Sequence, residues 1–355
     1  MGEALAMTAG QELLDALGHE EVLLWRDRET GLRAIVAIHD TTLGPGVGGT
    51  RMRMYPSLDD AAVDALRLAR AMTYKSAMAG LDRGGAKAVI VGDPGRDKTR
   101  ALLAAYAKVV DRFGGRFATG ADMGIDLRDV AVLARLSRWV GHTPREAKHD
   151  AADFAAIGVF EGIAAAARAL DLSVSGLHVT VQGLGQVGYR LARQLAAAGA
   201  RLTVSDLDEA RAQRAAAELK ATVAPADAIY DVPADVFSPN AAGGVLNDDT
   251  VPRLRCGAVV GGANEQLLEP RHGDALHERG ILYGPDYVVN AGGLLSILFE
   301  SGEIDEDGLL DRIRQIGDRV ARIWDEARRQ GLPPHRVADR MAEQRLADAR
   351  AGRPA

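Results

Sequence analysis

Hydrophobic positions along this chain switch repeatedly between a short strand-like pattern and a helical one, and the switching lays out an α/β protein. The run 32–40, LRAIVAIHD, reads as a strand. A helical stretch follows in which Leu58, Ala62, Ala65, Leu66, Ala69 and Met72 recur at helical spacing, closed by Lys75. Ser57 with Asp60 three residues on predicts its capping box. Strand 88–91, helix 98–112 and strand 116–119 continue the alternation. The polar segment 141–153 reads as a crossing into a second domain, where LHVTVQ, RLTVSD, ADVFSP, GAVVGG and ILYGPDYVVN again alternate with helices. A helix over about 305–330 then returns the chain towards the first domain, where 333 onward packs and 345–355 frays.

Within the second domain, residues 179–188 read VTVQGLGQVG: a β-branched strand entering Gly183-x-Gly185-x-x-Gly188. A helical run 187–198 follows, stopped by Gly199, and the next strand, 201–205, ends in Asp206. With 40 glycines in the chain the glycine spacing alone carries little; the strand, turn, helix, strand, acid order gives it weight. Glycines allow the tight turn and close pyrophosphate approach, the helix N-terminus offers free N–H groups, and the acid takes the ribose hydroxyls. Asp206 is followed by Leu207 and Asp208 rather than arginine, which predicts NAD over NADP, because a 2′-phosphate would meet carboxylates.

Two lysines frame a second candidate centre, in MTYKSAMAGLDRGGAKAVIVGDP at 72–94. Lys75 ends an apolar helical face; Lys87 follows Gly84, Gly85 and Ala86, where glycine lets backbone approach a ligand. A desolvated lysine near another cation loses its proton far below its ordinary value of ~10.4 and becomes a base. The competing reading is two surface lysines that snorkel. Asp122, just after strand 116–119, is by itself as readily a loop or capping aspartate.

At this point the chain resembles a known family, the glutamate/leucine/phenylalanine/valine dehydrogenases, and most of all the branch acting on apolar amino acids. The resemblance runs from about residue 20 to 350. It rests on TTLGPGVGGTR (41–51), MTYK (72–75), GGAK (84–87), TGADMG (119–124), QGLGQVG (182–188), GGAN (261–264) and GPDYVVNAGG (284–293). It implies two domains around a cleft. One is an N-terminal α/β substrate and oligomerisation domain, 1–148 plus 331–355; the other is a Rossmann-type NAD-binding domain, 149–330. It also implies that Lys75 binds the substrate carboxylate, that Lys87 is the catalytic lysine, and that Asp122 works beside it in proton transfer. Gly48 and Gly49 would frame the substrate; Val47, Gly120, Leu294 and Ile297 would line its side-chain pocket. Gly183, Gly185, Gln186, Val187, Gly188, Asp206, Asn240, Asn264 and Asn290 would serve the cofactor, with Asn264 and Asn290 along the nicotinamide and substrate. The implied activity is reversible NAD-dependent oxidative deamination of an apolar L-amino acid to its 2-keto acid and ammonia, by a homo-oligomer, dimer or higher. The pocket positions offer no cation for a side-chain carboxylate, which disfavours glutamate; aliphatic and aromatic substrates both stay open.

The chain departs from the family pattern at Ala86, Ala155, Asn240 and Glu265. Ala155 stands where a threonine hydroxyl is expected near the cofactor, so a slowed enzyme is predicted. A related imine or keto-acid oxidoreductase, or an NAD-binding homologue without turnover, are the alternatives. Composition narrows the remaining classes. Hydrophobic content of 47% and charged content of 26% over 355 residues suit a globular protein with room for two cores. A net charge of −6 without a basic run argues against nucleic acid or anionic membrane as partner. The one cysteine, Cys256, excludes an internal disulfide, and no metal motif is present; His272 and His277 are expected on a solvated helix. No apolar run approaches the ~20 residues that span a bilayer, and no cleavable leader is legible, which predicts a cytoplasmic protein.

Overall fold

Arg33–Asp40 and Gly84–Val91 are apolar on both faces, and both become buried central strands of one six-stranded sheet. The structure is a computed structural model that describes residues 16–141 and 148–352 together with Glu12 and Leu14. These fall into two compact units, one comprising residues up to 141 and from 342 on, the other 148–341.

In the first unit, β1 (Glu21–Arg26) and β2 (Arg33–Asp40) pair antiparallel, and β2 pairs antiparallel with β5 (Gly84–Val91). Strands β3 (Gly46–Val47) and β4 (Thr50–Arg53) run parallel to β5, and β6 (Phe117–Ala118) parallel to β3. Helix α1 (Leu58–Ala79) covers one face, and α2 (Arg100–Asp111) and α3 (Leu127–Leu133) belong to the same unit. Ser57 caps α1 as expected, its hydroxyl accepting the Asp60 N–H at 3.0 Å. The helix runs four residues past Lys75 and stops at Gly80, whose φ of 73° only glycine adopts cheaply. The strand expected at 88–91 begins at Gly84, so Lys87 lies inside the strand rather than on a loop before it. The physical cause is that two missing side chains let β5 press against its neighbours. A Cβ on Gly85 would stand 2.0 Å from the Thr73 nitrogen, and one on Gly84 2.1 Å from the Asp40 carbonyl oxygen. Residues 342–350, within the last helix Pro334–Arg350, belong to this unit. Arg345 donates to the carbonyl of Ala77 at 2.7 Å, near the C-terminal end of α1, and Arg350 pairs with Asp40.

The second unit holds α4 (Ala151–Ala169) and a six-stranded sheet that is parallel throughout. Its strands are β7 (His178–Gln182), β8 (Arg201–Ser205), β9 (Thr222–Val223), β10 (Val236–Pro239), β11 (Ala258–Val259) and β12 (Leu282–Tyr283). Their spatial order is β12-β11-β10-β7-β8-β9. Numbered from its first strand this is the doubly wound dinucleotide-binding arrangement, whose order reverses between β7 and β10; ligands sit at that switch point. Helix α5 (Gln186–Ala197) follows the glycine turn, ending before Gly199 at φ 85°, and α6 (Glu209–Leu219) follows β8. The short strand β9 carries too few residues to show a period and was not legible. ILYGPDYVVN is no continuous strand: after β12, Pro285 caps a short helix α8 (Asp286–Val289). His272 lies on α7 (Pro270–Glu278) but is buried rather than solvated, accepting the Glu269 N–H at 3.0 Å as part of that helix's cap. Among the described residues no helix is long and apolar enough to cross a membrane.

Candidate active site

In the first unit, the glycine-rich run 46–52 lies between β5 and the segment 116–123. Backbone bonds from Gly48 to Ala118 (3.2 Å), Thr50 to Gly120 (3.0 Å) and Met52 to Met123 (2.8 Å) zip it to that segment. The approach is close enough to require glycine. A Cβ on Gly48 would stand 1.7 Å from the Ala86 carbonyl oxygen, and one on Gly49 2.5 Å from that of Ala121. Gly48 and Gly49 thus hold the strand bearing Lys87 against the segment bearing Asp122. Below them a buried trio fixes the depth: Thr50 shares hydrogen bonds with Tyr106 (2.6 Å) and Thr119 (2.7 Å).

Lys87 is 6% exposed and donates to Asp122 Oδ2. Burial pushes the Lys87 ammonium below the ordinary lysine range, against the pull of Asp122, and the positive charge of Arg51 adds to the lowering. For Asp122, burial works to raise the carboxyl; Lys87 and Arg51 outweigh it and hold it below the usual carboxylate range. Asp122 is no simple loop residue. It opens a tight turn closed by Asp122–Ile125 backbone bonds of 3.1 and 2.9 Å, with Gly124 at φ 78°, and its Oδ1 accepts the Met123 N–H at 2.6 Å.

Arg51 escaped the sequence reading. It arrives on β4, its Nη1 3.1 Å from Asp64 Oδ2 and its Nε 3.6 Å from Asp122 Oδ2. Its only sequence signal was its place at the end of the glycine motif, since the contact with Asp64 of α1 is tertiary. Lys75 is half-buried on α1, between Thr73, which packs on Gly85, and Ser76, whose hydroxyl lies 3.5 Å from the Gly84 carbonyl oxygen. Gly120 opens on empty space, whereas Val47, at 3% exposure, sits in register between Gly85 and Ala118.

In the second unit the glycines act by absence. A Cβ on Gly188 would stand 1.9 Å from the Gly183 carbonyl oxygen, and one on Gly183 2.7 Å from Ala241 Cβ; at Gly185 nothing lies within 4 Å. That open face, with Gln186 and Val187 leading into α5, fits a pyrophosphate at a helix N-terminus. Asp206 is fixed by the N–H groups of Leu184 (2.7 Å) and Asp208 (2.8 Å). The first cation after it, Arg211, is paired to Asp208 at 3.3 Å. Asn240 spends its side chain on the protein: its amide donates to Ser238 and its oxygen accepts the Gly262 N–H at 2.9 Å. Asn290 donates to Asn264 Oδ1 at 2.7 Å, and its own Oδ1, buried, finds no partner among the described residues. A buried orphan acceptor of this kind suits a ligand amide or ammonium. Leu294 and Ile297 share a half-buried face of α9 (Gly292–Glu300).

The departures from the family pattern are accommodated. Ala155 lies on α4, its Cβ 3.8 Å from where a side chain on Gly293 would begin. Asp150 and Asp153 form the capping box of α4, and each pairs with Arg190 at 2.7 Å. Of the loop at 141–155, residues 142–147 lie outside the described residues. Glu265 adopts φ 51°, and its N–H donates to Asp286 at 2.5 Å.

Comparison with known proteins gives one answer. The family profile "Glu/Leu/Phe/Val dehydrogenase, dimerisation domain" matches residues 19–142, and "Glutamate/Leucine/Phenylalanine/Valine dehydrogenase" matches 203–353. The chain is 42% identical over 344 residues to a leucine dehydrogenase of Geobacillus stearothermophilus, covering 96% of this chain and 94% of that one. It is 44% identical over 343 residues to a valine dehydrogenase of Streptomyces coelicolor, covering 95% and 94%. Among solved structures, L-tryptophan dehydrogenase from Nostoc punctiforme superposes with a TM-score of 0.84 at 39% identity, covering 96% and 99%.

Proposed function

The chain belongs to the glutamate/leucine/phenylalanine/valine dehydrogenase family, and from that premise we propose that it is an NAD-dependent dehydrogenase of an apolar L-amino acid. The observation that carries the reading is the pairing of buried Lys87 with half-buried Asp122, an acid–base couple with little access to solvent. NAD, when bound, accepts the hydride from the substrate Cα. The chain's own residues do the rest. Lys75 holds the carboxylate by a charge-assisted contact. Lys87, its proton loosened by burial, takes a proton from the water that attacks the iminium carbon. As the carbinolamine collapses, Lys87 gives that proton to the departing nitrogen and the ionised Asp122 takes the hydroxyl proton, so the C–N bond breaks and ammonia and a 2-keto acid leave. In the first unit Gly120 leaves open space, and in the second Leu294 and Ile297 present an apolar half-buried face; neither feature offers a cation for a side-chain carboxylate.

NAD rather than NADP is the preferred cofactor in this reading, because Asp206 and Asp208 would face a 2′-phosphate while Arg211 is already paired. A homo-oligomer, dimer or higher, in the cytoplasm completes it. The test is NAD reduction at alkaline pH with L-leucine, L-valine, L-phenylalanine, L-tryptophan and L-glutamate, repeated with NADP. Turnover is expected with apolar substrates and not with glutamate, and with NAD favoured by roughly one order of magnitude or more. Equal kcat/KM for both cofactors would overturn the Asp206 assignment. Binding of NAD without turnover of any amino acid, or of keto acid plus ammonia, would leave a non-catalytic homologue.

A further inference from the structure

We propose that Arg51 is a positioning residue for the Lys87–Asp122 pair, anchored by Asp64 and Tyr55; this rests on the reading that Lys87 and Asp122 carry the proton chemistry. Arg51 is in register with Val89 on β5, two residues from Lys87, so both side chains leave the sheet on one face. That face is covered by α1, which supplies Asp64. The guanidinium is divided. Nη1 points at Asp64, at 3.1 and 3.4 Å from its two oxygens, while Nε is buried and has no hydrogen-bond partner among the described residues. It stops 3.6 Å from Asp122 Oδ2, the oxygen that also meets Lys87.

Asp64 is itself committed, since Tyr55 donates to its Oδ2 at 2.6 Å and the guanidinium of Arg53 lies 4.8 Å from the centre of the Tyr55 ring. A purely structural arginine would have both ends satisfied. This one keeps a donor about half an ångström beyond hydrogen-bond length, aimed at the carboxylate that must release Lys87 when the lysine turns to the substrate. Arg51 then supplies the hydrogen bond that Asp122 loses. Its fixed charge also keeps Asp122 ionised and opposes protonation of Lys87. Among the described residues, the charges that act most on Lys87 are those of Asp122, Arg51 from β4 and Asp64 from α1. Lys98, paired to Asp129 at 2.6 Å, reaches only the Gly124 carbonyl at the far side of the turn.

The experiment measures kcat and KM against pH for wild type, Arg51→Gln, Arg51→Lys and Lys87→Ala. NAD is the cofactor, and the substrate is whichever of L-leucine, L-valine, L-phenylalanine and L-tryptophan turns over fastest. Removing the charge raises the Lys87 pKa, so in Arg51→Gln the acid limb of kcat/KM should move to higher pH, by on the order of one unit. Its kcat should fall roughly tenfold to a hundredfold, with KM for the amino acid little changed. Arg51→Lys should keep the limb near its wild-type position while losing part of kcat, because one ammonium cannot serve Asp64 and Asp122 together. A wild-type limb and kcat in Arg51→Gln, or a loss confined to KM, overturns the proposal. If Arg51→Gln does not fold, Arg51→Lys decides: reduced kcat with an unmoved limb supports it, and wild-type kcat overturns it. Activity surviving in Lys87→Ala would instead show that the underlying reading fails.

Discussion

Lys87 in the first unit and Gly188 in the second are both buried beside a sheet, and they contribute in opposite ways. Lys87 matters for a charge brought indoors, whose energetics are set by Asp122 and Arg51. Gly188 matters for what it lacks, because the Gly183 carbonyl fills the place of its Cβ. The first centre is a matter of electrostatics, on a backbone that Gly48 and Gly49 hold close. The glycine turn of the second is a matter of backbone space. Substitution should therefore separate chemistry from cofactor binding, unit by unit.

The largest expected effect follows from removing the charge. Lys87→Ala should lower kcat by roughly 10²–10⁴ while NAD binding, followed by fluorescence titration, survives. Lys75→Ala should differ in kind, appearing mainly in KM through loss of a carboxylate contact of about 1.5–3 kcal/mol. If both variants lost NAD affinity instead, the separation between the units would break. Next in size is the backbone. In Gly188→Val the overpacked turn should cost about 1–3 kcal/mol, lowering the apo melting temperature by roughly 2–10 °C, and the displaced turn should weaken NAD roughly tenfold to a hundredfold. Unchanged KM for NAD would mean that the turn does not hold the pyrophosphate. The smallest effect sharpens the comparison by adding a polar group to the second unit. Ala155→Thr has room beside Gly293, and a recovered hydrogen bond should raise kcat/KM by about tenfold at most. A fall in kcat/KM would show that the departure at Ala155 serves this enzyme's own substrate.

How legible each centre was follows the same division. The glycine turn could be read from its letters because its function is local backbone geometry, and the flanking strands β7 and β8 are long enough to show their pattern. Lys87 stood out by its glycine neighbours, whereas Asp122 by itself read as a loop aspartate and was singled out only by the resemblance; that they meet depends on Gly48 and Gly49 closing two segments, which no local pattern encodes. Arg51, Asp64 and Tyr55 were invisible as a set because β4 and α1 join them only in three dimensions. Asn240 bonds Ser238 and Gly262, a clamp that one sequence cannot distinguish from a ligand contact. His272 misled for the converse reason. A histidine among charged residues looks solvated until the helix cap that buries it is formed.

Residues 342–350 give the first unit a timing constraint. Arg345 satisfies carbonyls at the C-terminal end of α1, and Arg350 neutralises the buried Asp40 beside Gly84. Both arginines are synthesised only after the whole second unit. Emerging chains usually fold domain by domain from the N-terminus. Until residues 342–350 are in place, Asp40 lacks its cation, although the α1 carbonyls of Ser76 and Ala77 are already capped by Leu81 and Gly80. The full stability of the first unit therefore depends on its most distant segment in sequence, so truncation at 341 should destabilise the sheet that carries Lys87 although no residue of that sheet is removed.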